Sequence, residues 1–161
     1  MTRVKMLIIF FFPVILIHGQ QTFKIDGTKA VVGQTYTSWT ICFDLVSSEV
    51  IIESTCKLSL DSILAFLKSN PTTTVELGYH TNDLKGAKFN LTLSQQRAES
   101  VKRYFVGHGI DSLRMVAVGY GSTKPLTKED RQFENEFKKN NYCTVPPYRG
   151  TRRLTIKILS K

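Results

Sequence analysis

The sequence predicts a two-layer α/β (α+β) sandwich, in which two helices pack on one mixed sheet. Three observations predict this fold. Strand-like and helix-like segments alternate in the order β-α-β-α-β, and the two helical segments are each roughly 15 residues long. The chain has 161 residues, of which 42% are hydrophobic and 22% charged, and this composition is typical of one globular domain.

The first predicted strand and helix lie in the N-terminal half of the chain. Between Trp39 and Leu45 apolar residues alternate with polar or small ones, which is the period of a half-buried strand. Apolar residues then recur with helical spacing at Leu60, Ile63, Leu64 and Leu67. Pro71 ends this helix, because proline disfavours helical geometry in the residue before it. Residues 20–37 are polar and contain glycine, and we treat them as an N-terminal extension without a stable element.

The remaining elements follow in the second half. Residues 75–79 alternate as a second strand and lead into a polar loop. The second helix is predicted to begin near Asn90, a residue type favoured at the N-cap, and to stop at Gly107–Gly109. Its buried stripe includes Ala98, Val101 and Phe105. Two further strands, at residues 115–120 and 154–158, complete the predicted sheet.

The N-terminus has the pattern of a secretory signal peptide. Arg3 and Lys5 precede an apolar run from Met6 to Ile17, and polar residues follow it. A membrane anchor is the alternative, but the run contains Pro13 and is shorter than the roughly 20 apolar residues of a spanning helix. We therefore expect a signal peptide at residues 1–19, the extension at 20–37 and the domain at 38–161.

Charge and cysteine content limit the other functional classes. The formal net charge of +9 attracts anionic surfaces without choosing among nucleic acid, lipid and acidic polymers. Cys42, Cys56 and Cys143 allow one disulfide with a thiol left over, and the sequence leaves the pair open. No cysteine or histidine spacing matches a zinc site, so we predict neither a metal nor a cofactor.

The junction between the second strand and the second helix is the strongest candidate for function. Asn90 and Arg97 are seven residues apart, so they project from nearly the same helix face about 10 Å apart along the axis. Together with the polar loop Thr81–Asp83 they offer hydrogen-bonding groups and a positive pole, which suits a ligand with a carboxylate and an ammonium group. The alternative is purely structural: Asn90 caps the helix and Arg97 pairs with Asp83 or Glu99.

The motifs around this junction resemble those of a known family. They are Gly78-Tyr79-His80-Thr81-Asn82, Phe89-Asn90, Leu93-Ser94, Arg97-Ala98, Val101, Gly119-Tyr120-Gly121, Pro125 and Thr151-Arg152-Arg153-Leu154. In order and spacing this set resembles the OmpA-like peptidoglycan-binding domain shared by outer-membrane protein A, the peptidoglycan-associated lipoprotein and the flagellar stator protein MotB. The resemblance covers residues 41–158, which is nearly all of the expected mature chain.

The resemblance implies a function and a site. It implies non-covalent binding of peptidoglycan through the diaminopimelate of the stem peptide, which tethers an envelope component to the cell wall. It also implies a periplasmic location, associated with the cell wall or outer membrane, with outer-membrane or other envelope proteins as further partners. Arg97 would take the ligand carboxylate. The implied ligand-binding set is Thr81, Asn82, Asp83, Asn90, Arg97 and one or both of Arg152 and Arg153.

Two residues and one loop depart from the family pattern. Asn82 stands where the family has an aspartate, so the site gains no negative charge there, although Asp83 can reach the site if the loop is shifted. Thr151 replaces the usual asparagine before the two arginines, and the loop at residues 121–150 is enlarged and contains Cys143. The alternative function is therefore an OmpA-like fold with a degenerate cell-wall site that acts as a protein-protein interaction module.

Catalysis and nucleic-acid binding are disfavoured. His80, Asp83, Ser94 and Cys143 are residue types found in hydrolase sites, but no nucleophile elbow or cysteine-histidine signature brings them together. Lysines and arginines are scattered rather than clustered between aromatic residues, as a nucleic-acid surface would require. We predict that the protein is not an enzyme and does not bind nucleic acid.

Overall fold

The computed structural model describes residues 29–38, 54–81, 85–124, 126, 128, 131 and 152–161. Several predicted features lie outside these residues: the signal peptide, the strand at 39–45, Cys42, Cys143 and most of the loop at 121–150. Cys56 lies in a described helix, but its side chain is outside the described part. The disulfide therefore stays a prediction.

Within the described residues, two helices pack on a four-stranded mixed sheet, which confirms the predicted fold class. The elements are β1 (Thr35–Ser38), α1 (Ser54–Ser69), β2 (Thr74–His80), α2 (Ala87–Gly107), a short 3-10 turn (Ser112–Arg114), β3 (Met115–Gly121) and β4 (Arg153–Ser160). The strand order is β1-β4-β2-β3. β3 runs parallel to β2, and β4 runs antiparallel to both β2 and β1.

The apolar stripes of the sequence form a single core between the helices and the sheet. Strands β2 and β4 turn alternate residues toward the helices, which is the period-two pattern that predicted them. Both helices contribute the side chains that their spacing predicted. The fully buried ones include Leu60, Ile63 and Leu67 of α1, Ala98, Val101 and Phe105 of α2, Val75 and Leu77 of β2, and Leu154, Ile156 and Ile158 of β4. None of the described helices is long and apolar enough to cross a membrane.

Strand β1 is an element that the sequence did not predict. It lies within and just after residues 20–37, and it pairs with β4 from Thr35, opposite Lys157, to Ser38, opposite Leu154. Backbone hydrogen bonds of 2.9 Å from Gly33 to Ile158 and from Ile158 to Gln34 extend this pairing. This short polar segment shows no alternation of apolar residues. Its stability as a strand comes from pairing with the neighbouring strand rather than from its local sequence.

Helix α2 begins earlier than predicted. Its N-cap is Gly86, with a φ of 87°, and the helix starts at Ala87. Asn90 is therefore not the N-cap; it lies in the first turn, fully buried, and its backbone N–H donates to the Gly86 oxygen at 3.1 Å. The positive φ is the reason that glycine, rather than asparagine, occupies the entry to the helix. The predicted stop at Gly107 is confirmed.

Candidate functional site

The candidate site lies where three strands and one helix end meet. β2 and β3 are joined by α2 in a parallel crossover, so their C-terminal ends lie at the same edge of the sheet. There the Thr81 N–H donates to the Gly121 carbonyl at 2.9 Å. β4 begins at the same edge, with Arg153 opposite His80. The backbone topology thus brings together Thr81, the first turn of α2, Arg153 at the start of β4 and the preceding Arg152.

Among the described residues, Arg97 is the most deeply buried cation at this edge. Its side chain is 1% exposed, and its guanidinium carbon lies 5.6 Å from the centre of the Tyr79 ring. Asn90, two turns earlier on α2, is 0% exposed, and Thr81 is 1% exposed. The two helix residues therefore face the sheet together, as their spacing predicted.

Tyr79 lies beside Arg97 at this edge, although the sequence predicted only that it is a core residue of a strand. Its side chain is 2% exposed. Burial raises the pKa of the Tyr79 phenol, while the positive charges of Arg97 and Arg152 and a hydrogen bond with Arg97 act against that rise. Two guanidinium groups therefore exert their field on one phenol oxygen. The sequence did contain one sign of this role. Tyr79 occupies a core-facing position of the strand, two residues before Thr81, so its side chain points to the same face as Thr81.

The two adjacent arginines at the start of the last strand, Arg152 before β4 and Arg153 as its first residue, have different surroundings. Arg152 acts on Tyr79, on the side of the sheet that carries Arg97. Arg153 lies opposite His80, on the outer face, which we define as the sheet face that the helices do not cover. Arg153 is 5% exposed, and its Nη2 donates to the Lys124 carbonyl at 3.4 Å. This separation favours Arg152 over Arg153 as the partner of Arg97.

His80 is held neutral on the outer face. It is 3% exposed, its ring stacks on Tyr120 at 4.9 Å between centroids, and its Nε2 lies 3.4 Å from the Thr155 hydroxyl. Burial, together with the positive charges of Arg153 and Lys124, lowers the pKa of His80 to about 3. A neutral, stacked histidine next to two cations supports the structure of this face rather than general-base chemistry.

The low pKa of His80 predicts acid-sensitive stability. The unfolded histidine has a pKa of about 6.5, so between pH 6.5 and about 3 the unfolded chain binds a proton that the folded chain does not. The contribution of neutral His80 to the stability of the fold is complete above pH 6.5, and it is lost as the pH falls from 6.5 toward about 3. We expect the free energy of unfolding to fall by about 1 kcal/mol per pH unit there, and to fall less in His80→Gln. Urea unfolding at pH 7, 6 and 5 measures the slope.

A matched control for this prediction is His108→Gln, which removes a histidine at the exposed C-terminal end of α2. Its free energy of unfolding should fall with pH more steeply than that of His80→Gln. Equal slopes for wild type and His80→Gln would contradict the assignment.

Two side chains of α2 fix the helix against the edge strand β3. The Ser94 hydroxyl accepts from the Gly121 N–H at 2.8 Å and donates to the Leu91 carbonyl at 2.8 Å. The Gln95 amide accepts from the Gly119 N–H at 2.7 Å and donates to the Ala117 carbonyl at 3.1 Å. The Gln95 side chain thus satisfies the backbone of β3 as a neighbouring strand would.

These contacts set the position of the site. Ser94 lies one turn before Arg97, so anchoring Ser94 and Gln95 to β3 also fixes where the Arg97 guanidinium lies. Gln95 additionally donates to the Glu99 carboxylate at 3.0 Å. The sequence did not predict these hydrogen bonds of Gln95 and Glu99.

Asn82 and Asp83 lie outside the described residues, so their places in the candidate site stay predictions. Of the predicted set, the structure brings Thr81, Asn90 and Arg97 to one edge of the sheet, with the charge of Arg152 acting on the same cluster. Arg153 lies at the same edge but on the outer face.

Solved structures share this fold. The peptidoglycan-associated lipoprotein from Burkholderia pseudomallei matches with a TM-score of 0.53 at 23% identity, covering 73% of this chain and 87% of that one. The cell wall anchor of the T6SS from Pseudomonas aeruginosa matches with a TM-score of 0.53 at 20% identity, covering 79% of this chain and 80% of that one.

Sequence relatives agree with the structural matches. The peptidoglycan-associated lipoprotein of Buchnera aphidicola is 30% identical over 87 residues, which are 54% of this chain and 49% of that protein. This chain spans about half the length of that relative, and 10% and 19% of two longer ones. The sequence profile of the OmpA family matches residues 46–139, which is more than half of the chain. The chain therefore belongs to the OmpA family, as the resemblance of its motifs implied.

Proposed function

We propose that this domain binds peptidoglycan non-covalently through the diaminopimelate of the stem peptide, and so tethers an envelope component to the cell wall. The observation that carries the proposal is the buried Arg97 guanidinium, 5.6 Å from the Tyr79 ring at the C-terminal ends of β2 and β3, where the positive charge of Arg152 also acts. Guanidinium groups provide forked donors and positive charge for a carboxylate. Asn90 and Thr81 add neutral hydrogen-bonding groups beside them.

The relatives support this class of function. One is named a peptidoglycan-associated lipoprotein and a structural neighbour is a cell wall anchor. The OmpA family consists of structural proteins rather than enzymes, which agrees with the predicted absence of catalysis. Those relatives are associated with the envelope, and we propose the same location for this chain, with residues 1–19 as its export signal.

Cosedimentation with purified sacculi tests the proposal. Sacculi with diaminopimelate in the stem peptide and sacculi with lysine there differ by one carboxylate at each side-chain end. We expect the protein to sediment with the first at physiological salt and at least about tenfold more weakly with the second, since Arg97 and Arg152 require that carboxylate. Equal binding to both would indicate attraction by the net charge of +9 alone.

Asn82→Asp is expected to strengthen binding. The substitution gives the loop a carboxylate for the ligand ammonium, and a hydrogen bond between charged groups is about twice as strong as a neutral one. We expect affinity for diaminopimelate-containing sacculi to rise roughly five- to tenfold. Sedimentation titrations of the two proteins measure the ratio.

Gln96→Glu is the control, because it makes the same change in charge at an exposed position of α2. It should leave affinity within twofold of wild type, or lower it. Unchanged affinity in Asn82→Asp would show that residue 82 does not contact the ligand ammonium.

The alternative function is a protein-protein interaction module that has lost cell-wall binding. The neutral Asn82 in place of an aspartate is the observation that favours it. Failure of the wild-type protein to sediment with either kind of sacculus would support this alternative over peptidoglycan binding.

A further inference from the structure

Tyr79 and Arg97 form a buried pair within the candidate site. Their side chains are among the largest fully buried ones of the described residues, at 2% and 1% exposure. The guanidinium carbon lies 5.6 Å from the ring centre, within the range of a cation–π contact. One side chain comes from the last core-facing position of β2 and the other from the middle of α2.

The pair combines two kinds of contact. The aromatic ring offers its face to the guanidinium, and the phenol oxygen makes a hydrogen bond with the same group. A guanidinium on a flexible side chain has many rotamers, and each contact removes some of this freedom. Ring and hydroxyl together therefore fix both the position and the plane of the fork.

Orientation matters because recognition of a carboxylate by arginine depends on geometry. A bidentate pair requires both N–H donors to point at the two carboxylate oxygens at once. A fork that is oriented before the ligand arrives loses less entropy on binding than one that must be ordered by it.

We propose that Tyr79 is a positioning residue that holds the Arg97 guanidinium in its ligand-binding orientation. The inference rests on the proposed function, since it assigns a role within the same site. Tyr79 acts through Arg97 and does not itself contact the ligand. The positive charge of Arg152 also acts on Tyr79, so a second cation lies in the same region of the site.

Tyr79→Phe separates the hydroxyl from the ring. The phenylalanine keeps the apolar packing and the face of the ring but loses the oxygen. We expect affinity for diaminopimelate-containing sacculi to fall about tenfold. Sedimentation titrations measure affinity, and thermal unfolding of the same samples shows whether the variant is folded at the assay temperature.

Tyr120→Phe is the matched control. Its hydroxyl also donates to a partner, the Glu76 carboxylate at 2.5 Å, but the ring lies against His80 on the outer face. We expect this variant to lose stability to a similar extent while its affinity stays within twofold of wild type.

A second comparison tests whether Tyr79 acts through Arg97. In an Arg97→Lys background the fork is absent, so adding Tyr79→Phe should change affinity less than twofold. Wild-type affinity in Tyr79→Phe, an equal loss in Tyr120→Phe, or a full tenfold further loss in the Arg97→Lys background would each overturn the proposal. No binding by the wild-type protein would overturn the proposed function and the positioning role with it, whereas binding unaffected by Tyr79→Phe would overturn the positioning role alone.

Discussion

Replacing Gly119 by alanine is expected to lower the free energy of unfolding by about 3 kcal/mol or more. A Cβ on Gly119 would overlap the backbone nitrogen of Gln95, and it would lie 2.6 Å from the Gln95 Cα and 2.7 Å from the Ser94 hydroxyl. Two of these atoms belong to the backbone of α2, which cannot turn aside as a flexible side chain can. The helix would have to move away from β3, and the hydrogen bonds that Ser94 and Gln95 accept from Gly121 and Gly119 would lengthen.

Gly107→Ala is the control for this prediction. Gly107 is the last residue of α2, and nothing lies within 4 Å of the position that its Cβ would occupy. Alanine there should leave stability unchanged or raise it by up to about 1 kcal/mol, because glycine is a poor helix former. Urea unfolding of the three proteins measures the difference. Similar stabilities for wild type and Gly119→Ala would contradict the close approach of α2 to β3.

Arg97→Ala is expected to remove most of the cell-wall binding. Truncating a buried charged partner in a binding site costs about 2 kcal/mol or more, so we expect affinity for diaminopimelate-containing sacculi to fall at least about 30-fold. The change also removes the largest fully buried side chain of the described residues, so the variant should be less stable. Sedimentation must therefore be measured at a temperature where circular dichroism shows the variant folded.

Arg103→Ala makes the same change in net charge on the same helix. Arg103 is exposed, and its Nη2 donates to the Ser100 hydroxyl at 2.7 Å. Its removal should lower affinity less than twofold, since an exposed charge acts on binding only through the screened field of the protein. Equal losses in the two variants would mean that bulk charge, rather than the site, holds the protein on the sacculi.

The elements that the sequence predicted well are those in which apolar residues recur at a regular spacing. Helix α1 and strands β2 and β4 each bury one face against the core, so apolar residues recur at 3.6 or at 2 along the chain. Strand β1 has no such apolar pattern. Thr35–Ser38 is held in the sheet by pairing with β4, which lies far along the chain. The start of α2 was misplaced because Asn90 is a favourable cap residue, whereas the turn uses the positive φ of Gly86.

The candidate site was predictable in part for the same reason. The spacing of Asn90 and Arg97 on one helix face required only helix geometry, and the structure places both against the sheet. The role of Tyr79 required knowing which strand lies beneath Arg97, which is a tertiary fact. The different faces of Arg152 and Arg153 follow from strand alternation, but only once the first residue of β4 is known.

Competition between sacculi and small competitors tests the central claim most directly. Diaminopimelate and Nα-acetyl-lysine amide both have an ammonium group at the side-chain end, but only diaminopimelate has a free carboxylate. We predict that diaminopimelate displaces the wild-type protein from diaminopimelate-containing sacculi and that Nα-acetyl-lysine amide at the same concentration does not. Binding that neither compound displaces would contradict a site in which Arg97 holds the ligand carboxylate.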